Sequence, residues 1–432
     1  MDSKDLGPEQ YGKWLWIGLG VAVALGVVFL MNRSVTTEQS LAIIPFVETQ
    51  VSKPALQDFT DQIHDSLSRI PNLRVITRGS VVEGLKAGSN ATELGRRLWA
   101  GAVLSGAVTR ADQRLHVEAR LEQASSGAIL WSRKFEGNLD DPGALRLEIT
   151  KAVAGSLQLD SSAVASQTHR SIDVEAQDLY ARAFLADGKT AILLLRRALK
   201  LAPDFQEARV EMARLKMQYD WDWAGAEQDL KLVTSSRSSA QAELNYGCLL
   251  VRTGRFSQAK KHLMEARAID PLGIPLQIAS ADCEFLSGRA EDAERQLQRL
   301  AAAWPESAQV HFARANVLAT YRPAEALPLY RKFEGRIAGS TLLEALALAL
   351  AKRKPEALAL LANASVASVP RFWLAAVNTA LGQREAALRL LDESATLREA
   401  ELTAVAVHPW FVSLREDPGF QILLARMRLP KI

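Results

Sequence analysis

The chain has 432 residues, of which 48% are hydrophobic and 23% are charged, values typical of folded proteins. Its 52 basic and 49 acidic residues leave a net charge of +3. This balance excludes a strongly basic protein, and we expect no nucleic-acid partner. The two cysteines exclude a disulfide-rich scaffold and a cysteine-based zinc site. The length predicts two or three folded units.

An uncharged apolar run, WLWIGLGVAVALGVVFLM, covers Trp14–Met31. As a helix it would extend for roughly 27 Å, close to the thickness of a bilayer core. Trp14 and Trp16 stand at its start, where aromatic rings favour the membrane interface. We interpret the run as an uncleaved transmembrane helix. A cleaved signal peptide is the first alternative and a buried core helix the second, but no small-residue cleavage site follows the run.

The basic residues around this helix indicate its orientation. Lys4 and Lys13 precede the helix, and Arg33 follows it closely. Cytoplasmic flanks carry an excess of Lys and Arg. We therefore expect residues 1–13 to be a short cytoplasmic N-terminus and the rest of the chain to lie outside the cytoplasm.

The first soluble unit, after a polar linker at 32–40, is predicted to be an α/β domain over 41–157. LAIIPFV is a buried strand stopped by Pro45, and two helical patterns and a second strand follow it. Three β-rich runs come next, GAVLSGAVTR, RLHVEARLEQ and AILWSRKFEG, with turn-rich separators of hairpin length. The amphipathic segment DPGALRLEITKAVAGSL closes the unit as a helix.

The order and wording of this unit resemble the TolB N-terminal-like domain. The segments that carry the resemblance are LAIIPFV, RIPNLRVITRGSV, ELGRRLWAGAVLSGAVTRADQRLHVEARLEQASSGAILWSRKFEG and LRLEITKAVAGSL. The resemblance implies an interaction or structural module without catalytic residues. In bacteria such domains often lie between a membrane helix and tetratricopeptide repeats, which implies a single pass through the inner membrane with the C-terminal bulk in the periplasm.

Many relatives of that family carry a DNA-binding winged helix or a nucleotide cyclase before the membrane helix. Here we find only residues 1–13 before it. We therefore expect any DNA-binding or catalytic output to lie on another chain.

A pair of residues, one small and one large four positions later, recurs along the second half of the chain. Successive alanines of these pairs are separated by 35, 33, 34, 33, 31 and 30 positions. Recurrence near 34 residues is the signature of stacked helix pairs. The pairs are Ala191/Leu195, Ala226/Leu230, Ala259/Leu263, Ala293/Leu297, Ala326/Tyr330, Ala357/Leu361 and Ala387/Leu391.

Two neighbouring copies agree at further positions. Gly254 and Gly288 stand where the turn between two helices needs a residue without Cβ, and Pro271 and Pro305 stand where the next unit begins. The alanine lets the two helices of a pair approach closely, and the large residue fills the space beside it. These residues resemble tetratricopeptide repeats.

The predicted organisation after the α/β domain is therefore a linker at 158–173, a tetratricopeptide superhelix at 174–400, and a capping helix with a tail at 401–432. The overall fold class is an N-terminal transmembrane helix, an α/β domain and an all-α solenoid. Because the last intervals are short, we expect irregular or shortened helix pairs between Arg322 and Ser365.

We find no motif for chemistry. The six histidines form no H-x-x-x-H pair, and no serine lies in a G-x-S-x-G setting. We therefore predict no catalytic residue, no metal site and no cofactor, and a protein that is not an enzyme. An enzyme acting on envelope polymers is the third reading, which a buried pair of carboxylates in a pocket would support.

Two interpretations remain open for the two cysteines, and two for the pairs of adjacent basic residues. Cys248 and Cys283 are 35 positions apart, so they occupy nearly equivalent places in adjacent repeats. They form a disulfide if their Cα atoms come within about 7 Å, or they are two buried free thiols, which we favour. The pairs Lys260/Lys261 and Arg196/Arg197 are interpreted as parts of a solvated convex face, with a nucleic-acid patch as the alternative.

The predicted function is that of a membrane-anchored adaptor that binds a protein or peptide along the concave groove of the repeats. Its anchor would be Trp14–Met31, and a homodimer is left open. The first alternative is a sensory component of a transmembrane regulator or a cyclase-type signalling system. The tetratricopeptide pattern places seven residues toward the groove: Gln241, Leu244, Cys248, Arg252, Ile278, Asp282 and Phe285.

Overall fold

The computed structural model describes most of the chain after the predicted anchor. The described residues are 39–49, 53–70, 72–86, 90–111, 114–138, 142–159, 174–236, 239–332, 339–363 and 369–430. Trp14–Met31 lies outside them. Within these ranges, no helix combines the length and the apolar character that crossing a bilayer requires.

The described residues of the N-terminal part form a sheet of six strands. Its order is β3-β1-β4-β5-β6, and β2 also pairs with β4. β1 and β2 run parallel to β4, whereas β4, β5 and β6 form an antiparallel meander. The three β-rich runs of the sequence are this meander. The strands are β1 Gln39–Ile43, β2 Val47–Thr49, β3 Leu73–Val75, β4 Ala102–Ala111, β5 Arg114–Gln123 and β6 Ile129–Asn138.

Alternation of side chains explains why the sheet is covered on both faces. In β1, Leu41 and Ile43 join one hydrophobic cluster while Ala42 joins another, because successive residues of a strand point to opposite faces. Pro45 lies in the gap between β1 and β2, where its missing N–H does not interrupt a ladder.

Among the described residues of this part of the chain, four helices cover the sheet. α1 and α4 share a cluster with one face, in which Ile63 and Ile149 are fully buried. α2 and α3 contribute Val81 and Leu94 to the cluster on the opposite face. The helices are α1 Lys53–Ser68, α2 Arg78–Lys86, α3 Ala91–Arg97 and α4 Pro142–Ser156.

The remainder of the chain is all-α. The described residues from 174 onward contain seven consecutive helix pairs, in which the second helix carries the alanine of the recurring motif. Each of those alanines is at most 3% exposed, which confirms that the small residue serves close helix contact. The helices are α5 Val174–Ala183, α6 Gly188–Leu201, α7 Gln206–Leu215, α8 Trp223–Ser236, α9 Ala240–Arg252, α10 Phe256–Ile269, α11 Ile274–Leu286, α12 Ala290–Ala303, α13 Ala308–Tyr321, α14 Pro323–Lys332, α15 Ser340–Leu350, α16 Lys354–Asn363, α17 Arg371–Leu381 and α18 Arg384–Leu397.

Five of the seven turns inside the pairs contain a residue with left-handed backbone. Gly254, Gly288 and Gly382 have φ of 74°, 86° and 81°, a conformation that suits a residue without Cβ. The equivalent turns of two other pairs place Trp221 and Lys352 there, with φ of 51° and 63°. These two turns therefore keep the left-handed geometry without a glycine.

The helix pairs shorten where the spacing of the motif contracts. α15, both ends of which are described, has 11 residues, whereas α9 and α11 have 13 each. This agrees with the prediction of irregular or shortened pairs between Arg322 and Ser365.

The α/β unit is fixed to the solenoid at the turn between α10 and α11. The Asp270 carboxylate accepts hydrogen bonds from the hydroxyls of Thr77, at 2.7 Å, and Ser80. The Leu272 N–H donates to Ser80 Oγ at 3.0 Å, and the Thr77 N–H donates to the Ile269 carbonyl at 2.9 Å. Leu272 also packs against the cluster under α2 and α3, so polar and apolar contacts both join the two parts.

The C-terminal segment follows α18. It forms two 3₁₀ turns, Glu401–Ala404 and Pro409–Leu414, and the helix α19, Pro418–Arg426. Asp417 caps α19, because its side chain accepts hydrogen bonds from the N–H groups of Gly419 and Phe420.

Candidate functional site: the inner layer of the repeats

The first helices of the pairs form a continuous inner layer. From α7 to α17, each first helix contacts the first helix of the next pair. The helix pattern of the sequence predicts a protein-binding groove along this layer. Its most regular part is formed by α9 and α11.

The seven predicted groove residues lie on these two helices. Gln241 is exposed and donates a hydrogen bond to Asn245 Oδ1 at 3.0 Å. Leu244 and Ile278 are half-buried and pack against hydrophobic clusters. Phe285 is 5% exposed and belongs to the core. Only part of the predicted set is therefore available to a partner.

Three of the predicted residues form an electrostatic cluster between α9 and α11. Burial raises the pKa of Asp282 to about 6, against the opposing effect of the Arg252 guanidinium. Burial also raises the pKa of the Cys248 thiol, which Arg252 lowers and Asp282 raises further. A half-buried carboxylate and a guanidinium thus lie together on the inner layer.

Both cysteines are free thiols, Cys283 being buried and Cys248 half-buried. Burial raises the pKa of Cys283 to about 11. Both thiols are therefore protonated at neutral pH, and reactivity depends on the thiolate. The structure agrees with the free-thiol alternative and gives these residues a packing role.

The C-terminal segment lies against the same inner layer. The His408 ring centroid is 5.7 Å from that of Phe285 on α11 and 5.8 Å from that of Phe372 on α17. Trp410 Nε1 donates to Thr320 Oγ1 on α13 at 3.0 Å. The segment therefore spans three first helices, and it covers the predicted groove residue Phe285.

This C-terminal contact is part of the core. Phe411 and Phe420 are both 0% exposed. Burial lowers the pKa of His408 to about 3, so its ring is neutral, and Nδ1 accepts a hydrogen bond from the Trp410 N–H. Trp223 Nε1 of the second pair donates to the Met427 carbonyl at 2.8 Å. The segment joins early and late repeats.

Sequence reasoning missed this placement. The prediction of a capping helix assumed that one face of the segment is polar. The signal against that assumption was VAVHPWFVSL, in which apolar residues follow one another without a helical period. Such a segment is buried on several sides, as the structure shows.

The described residues also bear on metal chemistry. Among them, no three His, Cys, Asp or Glu side chains lie close enough together to hold a metal ion.

Comparison with known proteins supports the repeats. A family model described as tetratricopeptide repeat matches residues 250–317, which include α10, α11 and α12. The C-terminal region thus carries tetratricopeptide repeats.

A putative adenylate cyclase 3 of Rhizobium meliloti is 26% identical over 205 residues, or 44% of this chain and 35% of that protein. The matched part thus spans about a third of that relative's length. A tetratricopeptide repeat protein from Parabacteroides merdae has a TM-score of 0.41 at 11% identity, covering 59% of this chain and 100% of that one. A thermophilic tetratricopeptide repeat protein of Thermus thermophilus has a TM-score of 0.33 at 22% identity, covering 43% of this chain and 95% of that one.

Proposed function

We propose that this protein is a non-enzymatic scaffold that binds a partner protein along its tetratricopeptide repeats. The observation that carries the proposal is the continuous layer of first helices from α7 to α17. Stacked pairs of this kind present a long surface that can contact an extended or helical segment.

The partner would lie on the part of the inner layer formed by α9 and α11. Arg252 and Asp282 supply opposite charges there, and Gln241 supplies an exposed amide. Charged anchors beside apolar side chains orient a bound segment and give specificity. The C-terminal segment occupies the layer from Phe285 onward, so this proposal places the partner next to it.

In-cell crosslinking and affinity capture of the full chain tests this function. We expect Arg252→Ala and Asp282→Ala each to reduce recovery of the partner at least fivefold. The matched control is Met264→Ala, which changes a side chain that is 63% exposed on α10. Equal recovery from all four proteins would contradict a partner site at α9 and α11.

We also propose that Trp14–Met31 anchors the protein in a bacterial inner membrane with the repeats in the periplasm. Its support is the uncharged run and the basic residues before it. The α/β unit would be an interaction module of the TolB N-terminal-like type. Protease added to spheroplasts should degrade the repeats, and Val23→Arg/Leu25→Arg should release the protein from membranes. Protection of the repeats would contradict the periplasmic placement.

A second candidate function is that of a sensory component in cyclase-type signalling. The similarity to the protein named putative adenylate cyclase 3 favours it. In this case the partner would carry the cyclase. Adenylate cyclase activity should then co-purify with the full chain and fall in Asp282→Ala, whereas a partner without that activity would contradict this candidate.

A further inference from the structure

A cleft opens between α6, α7 and α8, away from the α9 and α11 site. Its volume is about 350 Å³, enough for one or two side chains of a bound peptide. We call it the α6–α8 cleft. Its lining residues are Arg196, Leu199, Lys200, Arg209, Met212, Lys216 and Asp229.

The spacing of these residues explains why they meet. Arg196 and Lys200 are four positions apart on α6, so they share one helix face. Arg209 on α7 and Lys216, in the π-helical turn that continues it, are seven positions apart and also share a face. Two basic walls therefore line the cleft.

The cleft contains one carboxylate, that of Asp229. Its contacts show how the cleft binds a carboxylate. Asp229 Oδ2 is 2.6 Å from Lys216 Nζ, and Oδ1 is 3.3 Å from Arg209 Nη1. The Asp229 side chain is only 12% exposed. A desolvated carboxylate held by two cations is more strongly bound than an exposed one.

The cleft carries an excess of positive charge. Four basic residues face one acidic residue there, an excess as large as the net charge of +3 on the whole chain. Arg197, the neighbour of Arg196, pairs with Glu175. Arg196 and Lys200 are exposed, and neither has an ion-pair partner among the described residues. The basic wall formed by Arg196 and Lys200 is therefore left to attract an anion.

The floor of the cleft is apolar. Met212 is 4% exposed and Leu199 is half-buried. A phosphate ion would leave this floor uncovered, whereas a peptide can place an apolar side chain on it. The geometry points to an acidic segment of a protein partner, with Arg196 and Lys200 holding its carboxylate and Leu199 and Met212 contacting a neighbouring apolar side chain. This inference rests on the proposed scaffold function and gives the partner a second contact.

Fluorescence anisotropy with the labelled peptide EELEE and the full chain tests the inference at low salt, where screening is weak. We expect saturable binding, at least tenfold weaker in Arg196→Glu/Lys200→Glu and also weaker in Arg196→Gln/Lys200→Gln. The matched control, Lys260→Glu/Lys261→Glu, makes the same change in charge on α10 and should bind as the wild type does. Circular dichroism verifies that each variant is folded.

Three outcomes would overturn the inference: equal weakening in both charge-reversed variants, equal binding of the peptide QQLQQ, or complete displacement by an equal concentration of inorganic phosphate. Partner capture in Arg196→Glu/Lys200→Glu separates the two proposals. If the partner is fully retained although EELEE binding is lost, the scaffold function holds and the cleft is not its contact. If no partner is captured by the wild type, the scaffold function itself fails.

Discussion

Lys352 has a φ of 63° at the turn where three other pairs carry glycine. Left-handed backbone costs a residue with Cβ about 1 kcal/mol, partly offset by the greater freedom of glycine in the unfolded chain. We therefore expect Lys352→Gly to raise the free energy of unfolding by about 0.5 kcal/mol, measured in urea. Gly382→Ala, the reverse change at an equivalent turn, should lower it. A loss of stability in Lys352→Gly would contradict this account.

Asp282 is a second single residue whose energetics can be measured. Because burial raises its pKa to about 6, the folded state retains a proton that the unfolded state loses at lower pH. The cost of ionising the carboxylate in the folded state therefore builds up as the pH rises from about 4 to about 6 and is fully present above pH 6. We expect Asp282→Asn to stabilise the protein by up to about 3 kcal/mol at pH 7.5.

The gain from Asp282→Asn should decline as the pH falls from about 6 toward 4, where the wild-type carboxyl is also neutral. Urea unfolding at several pH values measures it. A gain that is constant with pH would show that the carboxylate carries no burial cost. A charge retained at a cost in stability is typical of binding sites, so the same variant should lose its partner.

Among the elements, the C-terminal segment covers part of the inner layer. Trp410 is 7% exposed and bonds to α13, whereas Val412 of the same 3₁₀ turn is 53% exposed. We expect Trp410→Ala to lower the free energy of unfolding by about 3–5 kcal/mol and Val412→Ala by less than about 0.5 kcal/mol. Chemical denaturation measures both. If Trp410→Ala lowers the free energy of unfolding as little as Val412→Ala does, the segment is only loosely attached to the repeats.

The contact between the α/β unit and α10 gives a second prediction about the packing of the elements. Asp270→Ala removes the acceptor of two hydroxyls, and unsatisfied buried donors cost about 1–3 kcal/mol. Amide hydrogen exchange should then become faster in α2 and α3, and to a greater extent there than in the repeats. Asp292→Ala, which removes an exposed carboxylate on α12, is the control. Unchanged exchange in Asp270→Ala would show that the apolar contact of Leu272 suffices.

The elements also show how far sequence reasoning reaches. Local periodicity predicts the β4–β6 meander and the seven alanine-bearing helices, since each pattern reflects burial of one face. It does not reveal that Asp270, at the end of α10, binds Thr77 and Ser80, because that contact joins positions about two hundred residues apart. The placement of His408 and Trp410 on the first helices is long-range in the same sense. Arg252 and Asp282 were predicted because repeat spacing fixes their face.

At the scale of the whole molecule, the inner layer of the repeats is divided into a covered and an uncovered part. The chain's own C-terminal segment covers α11 at Phe285, α13 and α17. The α9 and α11 stretch before Phe285 and the α6–α8 cleft are proposed for partners. The α/β unit contacts the repeats through Asp270, at the end of α10.

Site-specific photo-crosslinking in cells tests the scaffold function most directly. A photoreactive amino acid replaces Gln241 on the inner layer or Met264 on the exposed face of α10 in the full chain. We predict one discrete protein adduct at position 241, lost in Asp282→Ala, and none at position 264. No adduct at position 241, or the same adduct at both positions, would contradict the binding of a partner along the repeats.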